Sequence, residues 1–215
     1  MRWLWLAPVL LAGCPKKLAG ADAVRTLAPP PGVVEYDRYT VAGPFDLPVL
    51  RHRETWVGPE ARGELTLYEV ETVDATDGAS DLLETVVVFY GPTGYGFLGT
   101  LDEDGSLVAW EPPQVVLPAN PVVGETWSAT HTKAGRVSER SCELMRAEHC
   151  EGGVVSVCES RREQSVVVLR DHFCPGQGWS GFEALQQVGS QPPLRMWSQE
   201  VLRDGVALPE LPSQE

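Results

Sequence analysis

The chain has 215 residues, enough for one large β domain or two small ones, and a formal net charge of −13 at pH 7 from 30 acidic and 17 basic side chains. Proteins that bind nucleic acid need clustered Lys and Arg to neutralise phosphates, so this acidic balance argues against a nucleic-acid partner. The same charge repels anionic lipid headgroups, and attachment to a bilayer would therefore need a lipid or an apolar segment.

The N-terminus has the layout of a secretory signal. Arg2 supplies a positive charge, residues 3–12 form an apolar run interrupted by Pro8, and Gly13 and Cys14 follow. A membrane-spanning helix needs about 20 apolar residues, and this run has roughly half that length. We therefore predict an export signal rather than a membrane span.

The motif Leu11-Ala12-Gly13-Cys14 resembles the lipobox of bacterial lipoproteins. The resemblance implies a signal peptide over residues 1–13, cleavage before Cys14, and two or three acyl chains on Cys14. One acyl chain binds a membrane only marginally, whereas two or more anchor a protein stably. In this family an aspartate after the cysteine commonly retains the protein at the inner membrane, so Pro15 favours the outer membrane of a Gram-negative bacterium. The alternative is a secreted protein in which Cys14 is unmodified.

An Ala-rich stretch over residues 18–32 separates the lipobox from the rest of the chain and ends in Pro29-Pro30-Pro31-Gly32. This composition favours an extended, semi-rigid spacer. We predict that residues 14–32 form a flexible, lipid-anchored linker, residues 33–205 a folded domain and residues 206–215 a tail.

The folded domain has the pattern of an antiparallel β protein, because short β-branched and aromatic segments alternate with Gly, Pro and Asp. The predicted strands are 33–41, 49–57, 63–73, 83–90, 95–101, 107–110, 115–117, 128–133, 138–146, 154–160, 165–171, 182–188 and 194–202. The best candidate for a further domain boundary is the loop near Pro112-Pro113. We predict an all-β fold formed by a single antiparallel curved sheet, a half-barrel or a sandwich.

Two short motifs resemble segments of uncharacterised extracytoplasmic antiparallel β-sheet proteins of bacteria. One is the proline-then-Gly-x-x-Trp segment from Pro118 to Trp127, and the other is Pro175-Gly176-Gln177-Gly178-Trp179. The resemblance implies a β fold and carries no catalytic residues to this chain.

The cysteines that follow Cys14 are Cys142, Cys150, Cys158 and Cys174. An even number in an exported chain predicts two disulfides, and four cysteines allow three pairings. If residues 147–153 form a loop between two antiparallel strands, Cys142 lies opposite Cys158. If residues 161–163 form the next turn, Cys150 lies near Cys174. These two pairs are the predicted disulfides.

The alternative for these cysteines is a zinc site completed by His149 and His172. Structural zinc sites normally contain closely spaced ligand pairs such as Cys-x-x-Cys, and the sequence contains none. We therefore predict no metal and no cofactor.

The sequence contains no convincing catalytic motif. Its imidazoles are His52, His131, His149 and His172. Gly178-Trp179-Ser180-Gly181-Phe182 resembles a nucleophile elbow superficially, but Phe182 stands where Gly-x-Ser-x-Gly requires the second Gly. We therefore predict that the protein is not an enzyme and that Ser180 is not a nucleophile.

Three functions fit the sequence. The first is a non-enzymatic envelope lipoprotein with a structural or partner-binding β domain, which would have an exposed edge or apolar patch and no convergent polar pocket. The second is a periplasm-facing carrier or sensor of lipid-like apolar ligands, which would have a cavity lined by Trp, Leu and Val. The third is a hydrolase, which would need a His within reach of a carboxylate and a nucleophile. The tryptophans of the domain are Trp56, Trp110, Trp127, Trp179 and Trp197.

Overall fold

The computed structural model of the protein describes residues 21–207, which contain one α-helix and fourteen strands. Helix α1 spans Ala21–Leu27. The strands are β1 Val33–Ala42, β2 Phe45–Asp46, β3 Leu50–Arg62, β4 Leu65–Asp74, β5 Asp81–Gly91, β6 Gly94–Leu101, β7 Leu107–Pro118, β8 Thr126–Lys133, β9 Arg136–Arg146, β10 Val154–Arg162, β11 Ser165–Cys174, β12 Gly178–Val188, β13 Leu194–Arg203 and β14 Val206–Ala207. The predicted all-β class is confirmed, whereas the predicted signal peptide and Cys14 lie outside the described residues. Within this range no helix has the length and apolar character needed to span a bilayer.

The twelve long strands form a closed antiparallel barrel. Each pairs with the next long strand along the chain, and β13 pairs with β1 from Leu194 opposite Ala42 to Arg203 opposite Val34. The two-residue strands β2 and β14 are added at β1 and β13. The predicted half-barrel or sandwich is wrong, because the first and last long strands of the domain pair with each other and leave no open sheet.

The strands alternate between inward and outward side chains, as the pleat of a β-sheet requires. Strand β9 shows this most clearly, since Ser138, Arg140, Cys142 and Leu144 are buried while the residues between them are exposed. Apolar inward side chains are concentrated at one end of the barrel. Polar inward side chains, including Arg140, follow further along the strands.

Helix α1 and the residues after it pack against that apolar end of the barrel. Val24 is 0% exposed, and Val24, Leu27 and Ala28 belong to one core cluster with Tyr90 of β5 and Phe173 of β11. The Tyr90 hydroxyl donates a hydrogen bond of 2.8 Å to the Ala28 carbonyl. Val24, Leu27 and Ala28 are therefore part of the folded core, although they lie within residues 14–32, for which the sequence predicts a flexible linker. The Ala-rich composition that indicated a spacer also favours a helix.

A second apolar cluster lies on the outer face of the sheet. It contains Leu67 of β4 together with Val87 and Phe89 of β5, whereas Val88 and Tyr90 of β5 belong to the inner core. The second half of β5 is therefore covered on both faces, which explains why residues 86–90 form a continuous apolar run instead of alternating with polar residues.

Two disulfides stabilise the second half of the barrel, and they are the two pairs predicted. Cys142 of β9 faces Cys158 of β10, with their Cα atoms 4.1 Å apart. Cys150, in the loop after β9, is bonded to Cys174 at the end of β11. The turn between β10 and β11 differs from the prediction, because Arg162 pairs with Ser165 and leaves a two-residue turn.

Strand β7 also differs from the prediction, which divided it into residues 107–110 and 115–117. The strand continues through Pro112 and Pro113. Proline has no N–H to donate to a neighbouring strand and is tolerated where the ladder is interrupted. The ladder between β7 and β8 is interrupted in this way, because Glu111 opposite Thr132 is the one residue pair in their register.

Candidate functional site: a cleft between β7 and β8

The interrupted ladder between β7 and β8 opens a cleft of about 380 Å3 in the barrel wall. By contrast, β8 pairs with β9 along its whole length. The apolar lining of the cleft consists of Leu65, Phe89, Pro112, Pro113, Val115, Trp127 and Ala129. Small-molecule sites in proteins are typically concave, mostly apolar, and about 300–1,000 Å3 in volume.

The cleft joins the outer apolar cluster to the inside of the barrel. Leu65, Phe89 and Val115 belong to the outer cluster. Trp127 packs against the inner core, and Arg140 is one of the buried, inward residues of β9. A molecule in the cleft would therefore contact apolar side chains from both faces of the sheet.

Two side chains of β8 bridge the cleft to β7 where backbone pairing is interrupted. The Trp127 indole Nε1–H donates to the Val115 carbonyl at 3.2 Å. His131 Nδ1 lies 2.7 Å from the Pro112 carbonyl oxygen. A carbonyl only accepts hydrogen bonds, so His131 carries a proton on Nδ1. These two bonds satisfy β7 carbonyls and hold the walls of the cleft in place.

Arg140 is the positively charged side chain of the cleft lining. It is 7% exposed, and its Nη1 donates to Gln114 Oε1 at 3.2 Å. Its Nε and Nη2 are buried without an acceptor. Burial lowers the pKa of the Arg140 guanidinium, an effect that the negative charge of Asp171 opposes. A buried charge with unsatisfied donors is costly unless an acceptor is supplied.

Asp171 of β11 lies on the inward face of the barrel and is 5% exposed. Its Oδ1 accepts a hydrogen bond of 3.2 Å from Trp179 Nε1, while Oδ2 is buried without a partner. Burial raises the pKa of the Asp171 carboxyl to about 6, and the charge of Arg140 partly opposes that rise. Asp171 and Arg140 thus interact electrostatically, but each retains unsatisfied polar atoms.

A second buried polar group lies on β1 and β3. The Tyr36 hydroxyl donates to Glu54 Oε1 at 2.9 Å. Burial raises the pKa of the Glu54 carboxyl to about 7, and the hydrogen bond from Tyr36 partly opposes this. His52 is also buried, with both ring nitrogens unpartnered, and burial lowers the pKa of its imidazole. This group contributes no residue to the cleft lining.

The structure brings Ser180 close to His149, with 3.3 Å between Ser180 Oγ and His149 Nε2. A hydrolytic Ser–His pair also needs a carboxylate that orients the imidazole. Here the nearby carboxylate, Glu183, lies 3.5 Å from His172 instead. In residues 21–207 no hydrogen bond or ion pair joins His149 to a carboxylate. This arrangement does not assemble the three groups that a serine hydrolase uses.

The same corner contains the ligand types considered for zinc. Potential ligand atoms of His149, Cys150 and Cys174 lie within 4.8 Å of one another. The two sulfur atoms are joined in a disulfide, whereas a metal requires the deprotonated thiolates. In the oxidised protein these cysteines are therefore occupied as a covalent link between the β9–β10 loop and β11.

The remaining tryptophans serve packing roles. Trp56 and Trp179 pack against the inner core, and Trp197 stacks on Tyr39 with ring centroids 5.4 Å apart. Lys133 and Arg162 lie over the face of Trp110, at 5.2 and 5.1 Å from its ring centroid. Trp127 is the one tryptophan in the lining of the cleft.

No family model and no curated protein matches this chain. Among solved structures the chain is similar to a crystal structure described as that of a candidate lipoprotein from Parabacteroides distasonis ATCC 8503, with 10% sequence identity. The similarity covers 86% of this chain and 98% of that chain, with a TM-score of 0.40. At this identity and TM-score, neither a fold nor a function is transferred from that protein. The class of protein is therefore defined by the structure itself, as a closed β-barrel with an apolar cleft in its wall.

Proposed function

We propose that this protein is a lipid-anchored protein of the cell envelope whose barrel binds a small, lipid-like apolar molecule in the cleft between β7 and β8. The observation that supports this most directly is the cleft of about 380 Å3 with Leu, Val, Phe, Pro and Trp in its walls. Removing an apolar molecule from water into such a site releases about 25 cal/mol for each Å2 of apolar surface buried.

The cleft is suited to binding because hydrogen bonds between β7 and β8 fix the position of its walls. Pro112 and Pro113 cannot donate to β8, while Trp127 and His131 satisfy two carbonyls of β7 through their side chains. The backbone around the opening is thus partly satisfied without strand pairing. A preformed site binds with a smaller loss of conformational entropy than one that must be ordered by its ligand.

The proposed location depends on Cys14. The lipobox that ends at this residue supports acylation, and the two disulfides of the barrel are typical of an exported protein. The acyl chains on Cys14 would be the contact with the membrane, and Pro15 supports the outer membrane of a Gram-negative bacterium. Changing Pro15→Asp in such a host should move the protein to the inner-membrane fraction. A carrier or sensor at this position needs no catalytic residue and no cofactor.

Binding can be tested on the full chain with Cys14→Ala, which removes the acylated residue and avoids detergent. The neutral fluorescent probe 1-N-phenylnaphthylamine should bind and brighten. Ala129→Trp fills the cleft, because Ala129 lies in its lining, and should weaken binding at least about tenfold, equivalent to roughly 1.4 kcal/mol. Thr130→Trp, at an exposed position of the same strand, is the matched control and should bind as before. Absence of probe binding, or equal binding by both variants, would contradict the proposal.

A further inference from the structure

We infer that the molecule bound in this cleft has an acyl chain and a carboxylate headgroup, and that Arg140 holds the headgroup. The inference rests on the proposed function, because it assigns the chemistry of a ligand in the same cleft. It is drawn from the hydrogen bonding of Arg140 and from the charges around it.

The free edge of Arg140 has the geometry that a carboxylate requires. Nη1 is occupied by Gln114, whereas Nε and Nη2 have no acceptor. The N–H bonds of Nε and Nη2 point in the same direction from one edge of the planar guanidinium. This edge forms two parallel hydrogen bonds to the two oxygens of a carboxylate. Lysine could not make this paired contact, since its ammonium is a point charge.

Asp171 does not already fill that role. Its negative charge acts on Arg140, yet its Oδ2 lacks a partner just as Arg140 Nε and Nη2 do. Its other oxygen accepts from Trp179. Arg140 belongs to the cleft lining, and although its Nε and Nη2 are buried, a turn of its side chain towards the opening would present this free edge to a ligand.

The charge of the cleft is opposite to that of the whole protein. The chain has a net charge of −13, which repels anions at long range. Among the described residues that line the cleft, however, Arg140 is charged and none is Asp or Glu. The positive charge of Arg140 attracts a carboxylate at this point, and the charge of Asp171, which lies outside the lining, partly opposes this attraction. The apolar walls next to Arg140 accommodate the attached hydrocarbon chain.

The test compares ligands that share one chain and differ in their headgroup. The full chain with Cys14→Ala is loaded with 1-N-phenylnaphthylamine and titrated with dodecanoate, dodecanol or dodecylamine at about pH 8, where the acid is ionised. Dodecanoate should displace the probe at a concentration at least about tenfold lower than dodecanol, because hydrogen bonds to charged groups are the stronger ones. Dodecylamine should be weaker than dodecanol.

Variants at Arg140 then locate the effect. Arg140→Gln should remove the preference for dodecanoate over dodecanol, and Arg140→Lys should retain only part of this preference. Arg146→Gln, at an exposed position of the same strand, should retain the full preference. If Arg140→Gln does not fold, the comparison of the three ligands on the unsubstituted cleft still decides the headgroup.

The outcomes separate this inference from the proposed function. Equal displacement by dodecanoate and dodecanol would overturn the carboxylate assignment and leave apolar binding in the cleft supported. A preference for dodecanoate that survives in Arg140→Gln would overturn the role of Arg140. A protein that binds neither the probe nor any of the three ligands would overturn the proposed function itself.

Discussion

Replacing Asp171 with Asn should remove a pH-dependent loss of stability from the folded protein. Burial raises the pKa of the Asp171 carboxyl from 3.8 to about 6 in the folded state. The unfolded chain exposes this carboxyl, which then titrates at its ordinary value. As the pH rises from about 4 to about 6, the unfolded state releases the proton while the folded state retains it, so ionisation favours unfolding.

The size of this effect follows from the pKa difference. One pKa unit corresponds to about 1.4 kcal/mol, so the shift from 3.8 to about 6 amounts to about 3 kcal/mol. This stability is present below about pH 4 and is lost above about pH 6. About 2 kcal/mol of it is lost between about pH 4.5 and pH 8. The amide introduced by Asp171→Asn would stay neutral, and its oxygen could still accept the hydrogen bond from Trp179.

Urea unfolding with intact disulfides, followed by tryptophan fluorescence, measures the free energy of unfolding at about pH 4.5 and about pH 8. Relative to the unsubstituted protein, Asp171→Asn should gain about 2 kcal/mol between these two conditions. Asp104→Asn is the control and should change little between these two conditions, because hydrogen bonds from Ser106 lower the pKa of the Asp104 carboxyl and keep its titration below this pH range. The reasoning would be refuted if the difference in free energy of unfolding between Asp171→Asn and the unsubstituted protein did not change with pH. It would also be refuted if the unsubstituted protein became relatively more stable as the pH rises.

Three further predictions concern the anchor, the helix and a disulfide. Cys14→Ala should move the protein from the membrane to the aqueous fraction after cell fractionation, and persistent membrane association would contradict acylation at this residue. Val24→Ala should lower the free energy of unfolding by about 2 kcal/mol, because Val24 is 0% exposed. The control is Val122→Ala, at a side chain that is 61% exposed. Equal effects of the two substitutions would mean that residues 24–28 do not pack in solution. Replacing both Cys150 and Cys174 with Ser should cost about 3 kcal/mol on the chain-entropy estimate, measured by urea unfolding, and an unchanged midpoint would show that the link between the β9–β10 loop and β11 is dispensable.

Local patterns predicted the strands and the disulfide pairs. A loop over residues 147–153 between two antiparallel strands was sufficient to place Cys142 opposite Cys158, as in the structure. Register between neighbouring strands depends on loop length and on which face is buried, and both can be estimated from sequence. The shorter turn between β10 and β11 shows the limit of this estimate, since element boundaries are the least certain part of such predictions.

Long-range packing could not be predicted in the same way. Closure of the barrel depends on pairing between β1 and β13. The sequence of neither strand identifies the distant strand with which it pairs. The packing of Val24 depends on Tyr90 and Phe173, which lie far away in sequence. For Arg140, however, a signal was present. It stands two residues before Cys142, so a strand that buries Cys142 must also direct Arg140 inward.

The cleft and the two prolines of β7 have a common physical origin. The sequence favours Pro112-Pro113 as a domain boundary, whereas the structure places them within a continuous strand at the interrupted ladder. Where the ladder is interrupted, carbonyls of β7 lose their backbone donors in β8, and unsatisfied carbonyls are costly when buried. Trp127 and His131 satisfy two of these carbonyls from β8. The barrel is therefore closed by the pairing of β1 with β13, while its wall has an opening between β7 and β8, where Nε and Nη2 of the buried Arg140 lack an acceptor.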